Sequence, residues 1–215
     1  MIFGTAKRLA LNPRPLQLRY KDAIINNTDS YVYLGISLDT CLTLNTNVEQ
    51  SYKRASSRLY LLSKVRPYLT VKAAKKVYDM MILPILTYSG VIKLRSTRTY
   101  KQKLNSLENR ARMIIGESAY IPNTLNVIRK RACILVRKYL TNNVCYNFTN
   151  YFKINNHVAN TRNCNLLIKL PKVRLEYAKQ SFYFMGAKTY NELPTNIRDT
   201  KSFSLYKKLL DSHFA

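Results

Sequence analysis

The residues able to do chemistry are few and scattered. Two histidines, His157 and His213, and four cysteines, Cys41, Cys133, Cys145 and Cys164, are spread over 215 residues with 11 acidic side chains. The cysteines share no C-x-x-C spacing, and only Cys164 has a histidine, His157, in its neighbourhood, so no zinc-ligand pattern forms. No Asp-Asp pair, Gly-rich phosphate loop or G-x-S-x-G is present. Asp39 closes a strand-like run and reads as a turn former or cap. A lone carboxylate cannot hold the two metal ions that polymerases and many nucleases use. No catalytic, cofactor-binding or metal-ligating residue is therefore assigned, and the chain is expected to bind rather than to catalyse.

What the side chains do offer is positive charge. There are 36 Lys and Arg against the 11 acids, a formal net charge of +25, and such self-repulsion calls for an anionic partner. Nucleic acid is the leading candidate and an anionic membrane surface the second. The charge is not a disordered arm, because it rides on helix-like segments between residues 51 and 140. Lys53, Arg54, Arg58, Lys72, Lys75 and Lys76 open that region, with Tyr31, Tyr33, Tyr52, Tyr60 and Tyr68 interleaved or just ahead. Cations for phosphate and rings for stacking are what single strands and backbones favour. A solvated basic surface with core-edge tyrosines accounts for the same pattern more plainly.

The cysteines read as reduced core residues of an intracellular protein, nuclear or cytoplasmic and not secreted, so the sequons at Asn26 and Asn147 carry no meaning. The apolar run from Met80 to Tyr88 is broken by Pro84 and is far too short to cross a bilayer.

The secondary structure that carries these side chains can be read from periodicity. Short strands are expected at Ile2-Phe3, Leu16 to Tyr20 and Ala23 to Ile25. In "SYVYLGISLDT", residues 30 to 40, a further strand directs Val32, Leu34, Ile36 and Leu38 to a core, with Gly35 opposite. From Thr46 the period becomes about 3.6. Val48, Tyr52, Ala55, Leu59 and Leu62 form a helical stripe, Thr46 and Glu49 have capping-box spacing, and Pro67 ends the helix.

Thr70 caps a second helix on Ala74, Val77, Tyr78, Met81 and Ile85, which Pro84 kinks. Its early lysines oppose the helix dipole. A third helix runs from about Arg98 to Ile115 on Tyr100, Leu104, Leu107, Ala111 and Ile114, stopped by Gly116. A fourth runs from about Thr124 to Leu140 on Ile128, Ala132, Leu135 and Tyr139. Residues 141–175 read as a short helix and an Asn/Thr-rich loop, Tyr177 to Asn191 as one helix, and Leu205 to His213 as the last. The fold class is α+β and mostly α, with antiparallel strands first and helices after.

In this order the features resemble the C-terminal part of reverse transcriptases of non-LTR (LINE-type, jockey-like) retrotransposons. The resemblance rests on "MIFGT", "YVYLGISLD", "RASSRLYLLSKVRPYL", "AAKKVYDMMILPILTYSG" and a tail, "RLEYAKQSFYFMGAKTYNELPTNIRDTKSFSLYKKLL", with an asparagine-x-leucine-proline motif after an aromatic-rich helix. It implies palm-end strands in residues 1–42 and a basic helical thumb in 43–140. A connector at 141–175 and a C-terminal helical region at 176–215 would come after them.

It also implies that Tyr33, Leu34 and Gly35 belong to a primer grip, with Gly35 kept small for a passing backbone. Lys53, Arg54, Arg58, Lys72, Lys75 and Lys76 would track RNA, DNA or an RNA-DNA hybrid. The family's Tyr-x-Asp-Asp motif and earlier metal-binding aspartate have no counterpart, and tryptophans frequent in the family are missing. The expectation is a truncated, inactive fragment without the family's magnesium site. The alternatives are a free-standing basic nucleic-acid-binding or chromatin-associated module and a peripheral membrane protein held by its basic face.

Overall fold

The computed structural model describes residues 1–11, 18–93, 98–116, 118–141, 151–154, 167–174, 176–179 and 181–215. It is mostly helical with two short antiparallel strand pairs. Residues 1–54 and 55–215 form two compact units.

In the first unit, helix α1 (Ala6–Leu11) stands where no helix was expected, and Ile2-Phe3 is not a strand. Strands β1 (Leu18–Tyr20) and β2 (Ala23–Ile25), both within expected strand segments, form a hairpin through Lys21-Asp22. The next run is not one strand. β3 (Ser30–Tyr33) and β4 (Ile36–Asp39) pair antiparallel, Tyr33 opposite Ile36 and Tyr31 opposite Leu38.

Leu34-Gly35 is the two-residue turn between them, with positive φ at both positions, 49° and 74°. Two central residues with φ > 0 make the type I′ geometry, whose twist matches that of the strands. Turning back at Leu34-Gly35 changes the faces. Opposed residues share a face, so Tyr31 and Tyr33 go with Ile36 and Leu38, while Val32 goes with Ser37. Leu34, expected in the core, is instead 72% exposed at the tip.

Helix α2 (Asn45–Val65) comes next. It begins at Asn45, which puts Thr46 inside the first turn rather than ahead of it. Ala55, Leu59 and Leu62 are buried as their spacing required. A 3₁₀ turn, Arg66–Tyr68, ends the run at Pro67.

Thr70 caps α3 (Val71–Val77), its hydroxyl accepting from the Ala73 N–H at 3.3 Å. A π-helical turn, Tyr78–Ile82, then leads into α4 (Leu83–Thr87). Pro84 falls in the first turn of α4, directly after the π-helical turn, so its missing N–H sits where the helical hydrogen-bond register changes. The π turn also explains a shifted stripe. With i→i+5 bonding a turn holds more residues, so Ala74, Tyr78, Ile82 and Leu86 are buried at intervals of four, whereas Met81 is exposed.

Short α5 (Gly90–Lys93) packs on α7 (Thr124–Leu140) where Gly90 lies against Ile128; a Cβ there would sit 2.7 Å from Ile128 Cγ1. Helix α6 (Arg98–Ile115) buries Tyr100, Leu104, Leu107, Ala111 and Ile115, and stops at Gly116. Asn123 caps α7 by accepting from the Asn126 N–H at 3.1 Å, and the buried Glu108 of α6 accepts from the Thr124 N–H at 2.8 Å.

The expected helix from Tyr177 is divided into α8 (Glu176–Lys179) and α9 (Phe182–Asn191), because the Ser181 side chain accepts from the Phe184 N–H and starts a new helix. α10 (Thr195–Arg198) and α11 (Phe203–His213), capped by Ser202, complete the chain. Residues 142–150 and 155–166, where a short helix and loop were expected, lie outside the described residues, as do Cys145, His157 and Cys164. Cys41 and Cys133 are free thiols.

The C-terminal core gathers Cys133, Val136, Phe152, Ile168, Ala187, Tyr190, Leu193, Ile197, Tyr206 and Leu210. At its centre is a charge. Arg137, which the periodicity left on a charged outer face, is buried: its Nη1 donates to the Tyr190 hydroxyl at 3.2 Å and to the Arg198 carbonyl at 2.9 Å, and its Nη2 to the Thr200 carbonyl. The guanidinium also lies 5.4 Å from the Tyr206 ring centroid. Arg137→Met keeps the aliphatic bulk and removes the donor from two buried acceptors and one part-buried acceptor. A loss of about 3 kcal/mol in urea unfolding is expected. Arg137→Lys recovers only part of it, because an ammonium lacks the planar fork.

Candidate nucleic-acid interface

The basic side chains divide into those the fold uses and those it leaves on the surface. Arg66 donates from Nε to the Ile114 and Ile115 carbonyls, both at 3.1 Å, from Nη2 to Ile115 O at 2.8 Å and from Nη1 to Leu69 O at 2.7 Å. Arg131 reaches the Thr87 carbonyl at 3.2 Å, and the buried Arg198 donates from Nε to Leu193 O at 3.0 Å. Lys130 of α7 is paired with Asp211 of α11. Arg112 donates to Asn109 Oδ1 at 2.7 Å and lies 4.0 Å from Glu108. These cations hold elements together.

Of the six basic side chains read from the sequence as phosphate contacts, five are exposed and enter no ion pair among the described residues: Lys53, Arg54 and Arg58 on α2, and Lys72 and Lys76 on α3. Lys75 differs. It is half-buried and paired with Asp79 one turn later, so its charge is already met. The i,i+4 spacing that makes this pair is legible in the sequence.

Tyr33, Leu34 and Gly35 stand at the tip of the β3–β4 hairpin, all exposed. Gly35 has a backbone reason to be glycine, because its φ of 74° suits a residue without a Cβ. The small face expected for a passing primer is thus a turn requirement. Asp39 caps the segment after β4: its Oδ2 accepts from the Thr43 N–H at 3.0 Å and the Thr43 hydroxyl at 2.9 Å, and its Oδ1 from the Leu44 N–H at 3.0 Å. Partial burial raises its pKa, but these hydrogen bonds outweigh that and hold the carboxyl below the ordinary range.

Among the rings, Tyr31, Tyr33, Tyr60 and Tyr68 are exposed and Tyr52 is half-buried. Tyr60 is matched with Lys64, whose Nζ lies 5.2 Å from the ring centroid. Tyr60 and Tyr68 were among the five rings read from the sequence beside the basic clusters; Lys64 was not singled out as a site, and its contact with Tyr60 emerges only from the structure.

No family model, curated protein or solved structure matches the chain. The chemistry of the site therefore rests on its own geometry. No three His, Cys, Asp or Glu side chains come together as a metal-binding group among the described residues. Asp79 and Glu108 both act on the buried Tyr78 hydroxyl, whose pKa is raised first by burial and then by these carboxylates. Both acids are engaged elsewhere, Asp79 with Lys75 and Glu108 with Thr124 and Arg112. Burial pushes the Cys133 thiol up to about 12, which leaves it protonated and unreactive near neutral pH. Among the described residues no helix is long and apolar enough to cross a membrane. What the exposed cations and rings can do is bind an anion with flat, stackable groups.

Two outcomes check the hairpin and its cap. Gly35→Val forces a β-branched residue to positive φ at a cost of about 1–3 kcal/mol, whereas Leu34→Asn suits a type I′ turn and should slow amide exchange at Tyr33 and Ile36. Because Asp39 is depressed in the folded state, its contribution is present above its unfolded value, 3.8, and is lost as the pH falls through the lower folded value. Protection factors at Thr43 and Leu44, taken against intrinsic exchange at each pH, should therefore fall in that acid window and should not change with it in Asp39→Asn.

Proposed function

We propose that this chain is the palm-end, thumb and C-terminal part of a non-LTR retrotransposon reverse transcriptase, and that it holds RNA, DNA or their hybrid through the phosphate backbone. The observation that carries the binding reading is the set of five exposed cations, Lys53, Arg54, Arg58, Lys72 and Lys76, without carboxylate partners among the described residues. In a chain of net charge +25 these are side chains for which the fold has no internal use. The family reading is supported by the order of sequence features, in which strand-rich residues precede basic helices and an aromatic-rich tail. The role in primer handling assigned to Tyr33, Leu34 and Gly35 belongs to this reading. As a surface loop, the hairpin tip can contact a strand without disturbing a core.

Binding of this kind is dominated by counterion release, so it depends steeply on salt and little on sequence. Fluorescence anisotropy with a labelled duplex should give a log-log salt slope of about −4 to −5 if all five cations engage phosphates. The triple variant Lys53→Gln/Arg54→Gln/Arg58→Gln should reduce that slope by about 2 to 3. A flat salt response would sink the proposal. With magnesium and all four deoxynucleotides added, no template-directed extension of a primer is expected, because the sequence offers no Asp-Asp pair to hold the metals. Measured extension would overturn the assignment to a non-catalytic part.

A further inference from the structure

We infer that the outer surface of α2 beyond Ala55, with the 3₁₀ turn at its end, is a stacking platform for single-stranded nucleic acid, on which Tyr60 and Tyr68 receive bases. This deepens the reading above and rests on it. Tyr68 is 88% exposed, so its ring contributes almost nothing to the core. Yet the turn that carries it is firmly held. Pro67 fixes its own φ, and the Arg66 guanidinium ties the turn to the Ile114, Ile115 and Leu69 carbonyls. With the backbone held, only the two side-chain torsions of Tyr68 are left to be ordered when a flat partner settles on its ring.

Tyr60 is 55% exposed, with the Lys64 ammonium 5.2 Å from its ring centroid. Tyr60 and Lys64 are one i,i+4 step apart on α2, and Tyr68 follows on the 3₁₀ turn at its end. At about 1.5 Å per residue on α2 and 2 Å in the 3₁₀ turn, the two residues are displaced along the chain axis by roughly 13 Å. The end of α2 and the turn after it thus present a ring, a cation and a second ring. Cations reach phosphates and rings take bases, which fits this surface to a polyanion with exposed aromatic groups. Paired bases in a duplex present edges, not faces, so stacking here separates single strands from duplexes.

The chain contains no tryptophan, so Tyr68→Trp gives a single clean reporter. Its fluorescence should be quenched when a 15-nucleotide oligo(dT) binds and unchanged when a duplex of equal length binds. Anisotropy with the same probes should show Tyr60→Leu/Tyr68→Leu losing about fivefold or more in single-strand affinity per ring, with duplex affinity and thermal midpoint unchanged. Tyr60→Phe/Tyr68→Phe should retain wild-type affinity, because stacking does not need the hydroxyl. If wild type binds both probes while the double Leu variant keeps full single-strand affinity, or the Trp signal stays flat during binding, the platform is wrong and the phosphate-binding reading stands. If wild type binds neither probe at low salt, both fall.

Discussion

Arginines ending on peptide carbonyls at helix C-termini are the interaction on which much of this structure depends. Arg66 donates to Ile114 and Ile115 at the end of α6, Arg131 to Thr87 at the end of α4, and Arg137 to Arg198 at the end of α10. Arg198 in turn reaches Leu193, just past the end of α9. The last carbonyls of a helix have no partner within it and carry the negative end of the helix dipole. In a chain with 36 basic and 11 acidic residues, these carbonyls take the place of missing carboxylates. Each such contact satisfies two groups that would otherwise be uncompensated and fixes one element against another.

That arrangement sorts the charge. Arg66, Arg131, Arg137 and Arg198 are used by the fold, Lys130 and Lys75 by Asp211 and Asp79, and Lys53, Arg54, Arg58, Lys72 and Lys76 remain outside. Arg66 holds the backbone of the turn at Pro67, the same turn that carries the exposed Tyr68 of the proposed binding surface.

Much of the helical layout was legible because its causes are local. The stripe of α2 from Ala55 to Leu62, that of α6 from Tyr100 to Ala111, the Thr70 cap and the stops at Pro67 and Gly116 arise from spacing and from single residues with one dominant backbone preference, whereas α7 buries Cys133, Val136 and Arg137 in place of the expected Leu135 and Tyr139. Legibility failed where two local patterns compete. "YVYLGISL" satisfies a period of two along its whole length, yet a Leu-Gly pair at positive φ folds it back and re-pairs its faces. Near Pro84 a π turn moved the stripe, and at Ser181 a capping hydroxyl divided an otherwise continuous helical pattern. The candidate site was legible as a set of residue types. Lys75 left that set because Asp79 neutralises it, and Tyr60, Lys64 and Tyr68 came forward through exposure.

The sequence by itself determined the class of fold and the excess of positive charge, because both depend on composition and on periodicities that repeat within each element. Only the tertiary structure decided which cations are structural and which are left on the surface. That choice turns on contacts between residues far apart in the chain, such as Arg66 with Ile115 and Arg137 with Thr200, and on burial, which no short-range pattern encodes.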